Sequence, residues 1–349
     1  MRVNKSSFVD LSLLAKDLAM GDLEYSVFSL LLTIYFSLVV LFGGIGNVLV
    51  IYGVLKHKAL KMDSVSVLVI VYVASADLFI ILFTYVPILS TLVAGRWILG
   101  AQFCNTVFIR NVPIACEQCF IALLACHKAM VIWDPLQGGF RKIIMRCLLL
   151  NTIICVTAAH ILETVFIEGP ILMFNRAVFD CFLDGNSVMT SDNVYVKFLP
   201  YQIFSFMAVS IIAMVVANLT ILCLMKKAGR IGHRAIKTIS LVCWTFLLSY
   251  IPIAFTFYNY MFGTKTMDHS TRAWKESSIV AITTLAVSAV ANPIIYSFTN
   301  DKFSFFLKKL LRGDLDMFGR EWQNKIQPRP PPNLPPSFQR PPPSTTATL

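Results

Sequence analysis

Seven long apolar stretches constrain this sequence more than any other feature. They fall near residues 27–55, 65–92, 103–133, 143–167, 196–225, 235–262 and 276–298. Each is long enough to cross about 30 Å of hydrocarbon as a helix. Only 14% of the residues are charged, whereas a soluble chain carries about a quarter. The sequence therefore predicts an all-α membrane protein, a bundle of seven transmembrane helices.

Basic residues are concentrated in the loops after the first, third and fifth stretches. The loop after the fifth stretch contains no acidic residue between its basic residues, which are Lys226, Lys227, Arg230, Arg234 and Lys237. The loops on the opposite side are sparser and mixed in charge. The positive-inside rule therefore places the N-terminus outside the cell and the C-terminus in the cytoplasm. Membrane topology explains the net charge of +11, and no nucleic-acid-binding motif is present.

The two ends of the chain differ from the bundle between them. We expect residues 1–26 to be extracellular, without a signal peptide, and with an N-glycosylation sequon at Asn4. Residues 27–312 form the membrane domain. Residues 313–349 are proline-rich and predicted to be a disordered cytoplasmic tail. Within the tail, Arg329–Pro335 fits an SH3-ligand pattern, and a passive linker is the competing interpretation.

The last apolar stretch contains a polar joint that is unusual in a membrane helix. Asn292-Pro293 lies deep within it, and Tyr296 follows one turn later. A proline leaves one backbone carbonyl without its hydrogen-bond donor, and hydrocarbon supplies none. A nearby polar group must therefore donate to it, and Asn292 is the candidate. After a turn at 299–301, apolar residues and lysines alternate at helical spacing up to Leu311. This pattern predicts an amphipathic helix in the membrane interface.

These features resemble the seventh helix and helix 8 of the rhodopsin-type (class A) G protein-coupled receptors, whose motif is Asn-Pro-x-x-Tyr. Gly46-Asn47-Val48 in the first stretch and Asp77 in the second resemble motifs of the same family. The run from Trp97 to Cys104 resembles the entry to helix 3 of peptide receptors, nearest to the galanin-receptor branch. The resemblance covers residues 25–312.

The resemblance implies a multi-pass receptor of the plasma membrane, not an enzyme, that needs no cofactor. Its partners would be an extracellular ligand, expected to be a peptide, and a heterotrimeric G protein, with arrestin as a further candidate. Activation would move helix 6, in which Pro252 provides a kink. Cys104 and Cys181 are the two cysteines on the outer side, where oxidising conditions allow them to form a disulfide, the alternative being two buried thiols.

The inner end of helix 3 departs from the family pattern. His127-Lys128-Ala129 stands where most members have Asp-Arg-Tyr. Lys128 keeps the positive charge but not the planar fork of arginine, and His127 cannot act as its acidic partner. We therefore expect weak or atypical G protein coupling. Tyr250 replaces the usual tryptophan of helix 6 and is a candidate ligand-binding residue.

Two sets of residues are candidate binding sites. Arg110 and Asn111 lie about two turns inside Cys104, where a guanidinium would pair with an acidic group of the ligand. Alternatively, Arg110 pairs with Glu163 of helix 4 or extends outward. The second set is a predicted Na⁺ or shared-proton site, formed by Asp77, Glu117, Ser288 and Asn292.

The assignment of Glu117 depends on the position of helix 3. A shift of one residue would place Cys116 or Gln118 there instead. Two adjacent buried carboxylates cannot both ionise cheaply, so a cation or a proton must lie between them. The alternative is a structural acid that bonds a neighbouring hydroxyl.

Other functional classes lack the residues they require. A transporter or channel should show an inverted repeat or a ring of charges. A retinal protein needs a lysine in helix 7, where residues 277–298 contain none and Ala286 takes that position. An aminergic receptor needs an aspartate in helix 3, where Arg110 and Asn111 stand.

Overall fold

The structure is a computed structural model that describes most of the membrane domain. The described residues are 27–57, 64–100, 103, 107–133, 138–166, 172–175, 180–183, 194–224, 230–262 and 272–314. Asn4, Cys104 and the Arg329–Pro335 segment lie outside them.

The described residues contain seven long helices and one short helix. These are α1 (Val27–His57), α2 (64–94), α3 (Val107–Trp133), α4 (Gly138–Phe166), α5 (Val194–Leu224), α6 (Arg230–Phe262), α7 (Arg272–Thr299) and α8 (Asp301–Leu311). The long helices coincide with the seven apolar stretches. Within the described residues, five segments meet both the length and the hydropathy of a membrane span, in α1, α2, α3, α6 and α7. The helical membrane architecture predicted from the sequence is confirmed.

One element was not predicted from the sequence, a two-stranded sheet between α4 and α5. Strand β1 (Leu172–Asn175) pairs antiparallel with β2 (Asp180–Leu183), and Phe174 lies opposite Cys181. The strands are four residues each, shorter than the usual strand, and their sequence shows no alternation of polar and apolar residues.

The first two helices each contain a wide π-helical turn, and these turns pack against each other. They span Val39–Gly43 in α1 and Ile81–Tyr85 in α2. Pro87 lies two residues beyond the second turn and has no N–H to donate, so a local change of hydrogen bonding is expected there. A β-carbon on Gly43 would lie 2.9 Å from the Ile81 side chain, so glycine permits this close approach.

Helix α8 begins with a sharp change of direction after α7. The side chain of Asn300 caps the new helix, and its Oδ1 accepts a hydrogen bond from the Phe303 N–H at 3.2 Å. Phe303 and Phe306 are buried, and Phe306 lies against Gly53 of α1. The amphipathic stretch thus buries its aromatic face against the bundle, with Phe306 on α1.

The contact between Gly53 and Phe306 gives a first testable prediction. A β-carbon on Gly53 would lie 2.6 Å from the buried Phe306 ring, so Gly53→Ala requires the ring to move. We expect the substitution to cost about 1–2 kcal/mol, because overpacking outweighs the better helix propensity of alanine. Thermal unfolding of the detergent-solubilised protein measures this change.

The matched control is Gly44→Ala, in the same helix. No atom lies within 4 Å of a β-carbon built on Gly44, so this variant should be as stable as the wild type or slightly more so. Equal melting temperatures for the two variants would contradict the packing of α8 against α1.

Candidate functional site

A buried hydrogen bond joins α2 to α7 at the centre of the bundle. Asn292 Nδ2 donates to Asp77 Oδ2 at 3.0 Å, and both side chains are almost fully buried. Asp77 lies within the apolar sequence of α2, and Asn292 directly precedes Pro293 in α7. Burial in this position makes the bond costly to break, because neither group can turn to water.

The structure corrects the role expected for Asn292. Pro293 frees the carbonyl of Ala289, four residues earlier, and Asn47 of α1 donates to that carbonyl at 2.8 Å. The same Asn47 amide also donates to the Gly43 carbonyl at 3.0 Å. The carbonyl freed by Pro293 is therefore hydrogen-bonded by α1, and the Asn292 amide donates to Asp77 instead.

Glu117 of α3 shares this buried cluster. It is 1% exposed, as is Asp77, and the two carboxyl groups interact electrostatically. Asp77 Oδ1 and Glu117 Oε1 find no hydrogen-bond donor among the described residues. The cluster therefore holds two carboxyl groups with unused acceptor oxygens in a region closed to water, which is the arrangement that attracts a cation or a proton.

Ser288, the fourth residue predicted for this site, is buried on α7. Its hydroxyl donates to the Leu285 carbonyl at 2.8 Å, within its own helix. The hydroxyl oxygen still has lone pairs that can accept or coordinate. Ser288 and Asn292 are four residues apart, so they lie on the same face of α7.

Four tyrosines from three helices lie within electrostatic range of the buried carboxyl groups. Tyr72 and Tyr85 of α2, Tyr250 of α6 and Tyr296 of α7 each interact electrostatically with Glu117, and all but Tyr72 also with Asp77. Sequence reasoning named Tyr250 and Tyr296 but missed the other two. The eight-residue spacing between Asp77 and Tyr85 places them on one helix face and could have identified Tyr85.

Tyr250 is the member of this group contributed by the helix that is expected to move. Its ring stacks on Phe246 at 3.9 Å between centroids, and its side chain is 1% exposed. Its hydroxyl has no hydrogen-bond partner among the described residues. A buried phenol with an unused donor, within electrostatic range of Glu117, could link α6 to α3.

A second group of polar residues lies toward the end of the bundle next to α8. His127 and Lys128 of α3 are buried, at 2% and 7% exposure. Thr238 of α6 donates through Oγ1 to Thr299 Oγ1 at 2.8 Å, and Thr299 donates to the Ile295 carbonyl at 2.6 Å. This hydroxyl pair joins α6 to the end of α7.

The predicted ligand contacts on helix 3 and one predicted disulfide cysteine have described backbone positions. Arg110 and Asn111 lie in the first turns of α3, and Cys181 lies in β2, where only the backbone is described. Pro252 lies within α6, as expected for the kink position.

Seven long helices around a buried polar cluster define the class, that of seven-transmembrane receptors. Residues 46–296 match the family described as 7 transmembrane receptor (rhodopsin family), and the chain belongs to that family. It is therefore a multi-pass receptor of the plasma membrane and not an enzyme, and coupling to G proteins is the function of its family.

Similarity to individual receptors is distributed over most of the chain at low identity. Galanin receptor 2b of Danio rerio is 24% identical over 319 residues, covering 85% of this chain and 78% of that receptor. C-X-C chemokine receptor type 2 of Homo sapiens is 25% identical over 298 residues, covering 80% and 77%. Chemokine XC receptor 1 of Homo sapiens is 24% identical over 285 residues, covering 80% and 81%.

Proposed function

We propose that this chain is a receptor for an extracellular peptide and that it signals to heterotrimeric G proteins by a movement of α6. The relatives support the ligand class, because galanin and chemokines are both polypeptides. The positions of the basic residues support an extracellular N-terminus and a cytoplasmic C-terminus. The C-terminal tail would then lie in the cytoplasm, on the same side of the membrane as the G protein. Arrestin and SH3 domains, the other candidate partners, are also on that side.

The observation that carries this proposal is the Asp77–Asn292 hydrogen bond at the centre of the bundle. It ties α2 to α7 beside Pro293, while Glu117 of α3 and Tyr250 of α6 lie within electrostatic range of Asp77. A ligand that shifts α6 or α7 must therefore rearrange a buried polar cluster with few alternative partners. Such a cluster has discrete arrangements, which is the property that a two-state switch requires.

The ligand would bind above this cluster, at the outer ends of the helices. Arg110 and Asn111 on the first turns of α3 would contact it, and Tyr250 would form the floor of the pocket. A guanidinium at this depth favours a peptide with a carboxylate, either at its C-terminus or on a side chain. The Cys104–Cys181 disulfide would hold the β1–β2 loop over the opening, and Asn4 would carry a glycan.

The same cluster supports a Na⁺ site at Asp77, Glu117, Ser288 and Asn292. Hard cations such as Na⁺ take oxygen ligands, and the carboxyl and hydroxyl oxygens supply them. The ion would neutralise charge that burial makes costly. Since both carboxyl groups lie in one cluster, a proton can take the place of the ion on one of them.

The inner end of α3 leads to a prediction about coupling. Lys128 cannot offer the bidentate fork of arginine, so the wild type should couple weakly to G proteins. We expect Lys128→Arg to raise ligand-evoked G protein activation several-fold. The receptor would be expressed in cells with sensors for each G protein class and exposed to a library of secreted peptides, including acidic ones.

The matched control is Lys142→Arg, which makes the same substitution at an exposed position on α4. It should leave the response unchanged. Strong coupling of the wild type that Lys128→Arg does not improve would refute the weak-coupling interpretation. An absence of any G protein response in both proteins would favour the alternative, an atypical receptor of this fold.

A further inference from the structure

Asn151 is a polar residue on the membrane-facing surface of α4. It lies near the middle of this 29-residue helix, about 20 Å from either end at 1.5 Å per residue. At that depth the surroundings are hydrocarbon whichever way the helix is inserted. The side chain is nevertheless exposed, and the buried face of α4 is formed by Met145, Leu149 and Val156.

The exposed amide differs from exposed hydroxyls on other spans. Ser37, Ser75 and Thr220 each donate to a carbonyl of their own helix, at 2.7–2.8 Å, and so need no outside partner. Asn151 makes one weak contact, accepting from the Cys155 thiol at 3.8 Å, and its amide N–H groups find no acceptor among the described residues. In hydrocarbon an amide without partners costs several kcal/mol.

The surface around Asn151 is shaped for a neighbouring helix. Cys147, Asn151, Ile154 and Ala158 are all exposed and follow each other at helical spacing along one ridge. Three of these four side chains are small or polar, which is the composition that lets two membrane helices approach closely and bond. A lipid tail has no donor or acceptor and cannot hydrogen-bond to the Asn151 amide.

We propose that this α4 face, defined by Cys147, Asn151, Ile154 and Ala158, is the dimer interface of the receptor, occupied by the same face of a second copy. Two copies are inserted in the membrane in the same direction, so a two-fold axis along the membrane normal brings Asn151 opposite Asn151 at equal depth. The amide carries both a donor and an acceptor, so the two side chains satisfy each other with two hydrogen bonds. This interface is separate from the peptide and G protein sites.

The first experiment measures association directly. Full-length receptor carrying a fluorescent tag would be expressed at graded surface densities, and the dimer fraction determined by single-molecule photobleaching. We expect Asn151→Leu to weaken association by roughly three- to twentyfold, as expected for loss of an interhelical amide bond. Asn151→Gln keeps the donor and acceptor and should retain most of the association.

Surface expression separates this effect from misfolding. Asn151→Leu makes the span more apolar and should reach the surface at least as well as the wild type. Ser75→Ala is the matched control, because its exposed hydroxyl is already satisfied within α2, and its dimer fraction should equal that of the wild type. A wild type that is monomeric at all densities, or an Asn151→Leu variant that dimerises equally, would overturn the proposal.

Native cysteines on the face allow a second, independent test. Copper phenanthroline with dioxygen accepts the two electrons and two protons of a thiol pair. It should therefore join two copies in isolated membranes through Cys147, or through Cys155, whose thiol contacts Asn151. Cys147→Ala combined with Cys155→Ala should remove the crosslinked dimer, whereas Cys223→Ala, at an exposed cysteine on α5, should not. Crosslinking that depends on Cys223 instead, or that joins the receptor only to a different protein, would refute the α4 interface.

Discussion

Replacing Asn292 by leucine is expected to lower the free energy of unfolding by about 2–4 kcal/mol, because it leaves a buried carboxyl without its donor. Asp77 is 1% exposed and accepts a hydrogen bond on Oδ2 only from Asn292 in the described part of the chain. Leucine preserves the volume, so the loss reports the bond and not a cavity. Thermal unfolding of the solubilised receptor, in choline chloride to exclude Na⁺, measures the difference.

Two further variants make this measurement specific. Ser288→Ala removes a buried hydroxyl from the same face of α7, but that hydroxyl bonds within its own helix, so the cost should be below about 1 kcal/mol. Asp77→Leu combined with Asn292→Leu removes both partners and should recover part of the loss. If the two single losses simply add in the double variant, Asp77 and Asn292 are not coupled.

Replacing Glu117 by serine is expected to reduce the pH dependence of sodium binding. At low pH both carboxyl groups carry protons and offer Na⁺ little charge. As the pH rises a proton leaves the pair and Na⁺ takes its place, so stabilisation by Na⁺ should grow with pH in the wild type. If one proton is exchanged for one ion, the sodium affinity rises up to about tenfold per pH unit. Glu117→Ser removes one of the two titrating carboxyl groups.

The measurement is the difference in melting temperature between sodium and choline chloride across a range of pH. It needs no ligand, which separates the ion site from the identity of the peptide. Gln118→Ser is the matched control, because Gln118 is the next residue of α3 and is also buried. Superimposable curves for the wild type and Glu117→Ser would exclude Glu117 from the ion site, and a change confined to Gln118→Ser would assign the site to that position.

The spans and the central pair were predictable for different reasons. Each span follows from the length of an apolar run, a property of the local sequence alone. The proximity of Asp77 and Asn292 was expected because both matched motifs of a known family, and the 3.0 Å bond agrees with that expectation. Neither inference needed the packing of side chains to be known.

What could not be predicted depends on contacts between helices. The partner of the Ala289 carbonyl is Asn47, and choosing it over Asn292 requires the close approach of α1 and α7. The π-helical turns and the short β1–β2 strands leave no periodic signal in the sequence. The exposure of Asn151 likewise depends on which face of α4 meets the bundle, since apolar residues surround that helix on nearly every side.

The hydroxyl pair between Thr238 and Thr299 helps to hold α6 against α7 at the end of the bundle next to α8. A hydrogen bond between neutral groups contributes about 0.5–1.5 kcal/mol, so losing this one changes the ratio of closed to open molecules about two- to thirteenfold. Thermal energy is of the same order. A ligand that prevents this bond would shift the balance between the two arrangements by that factor, and the other contacts between α6 and α7 add to the cost of separating the helices.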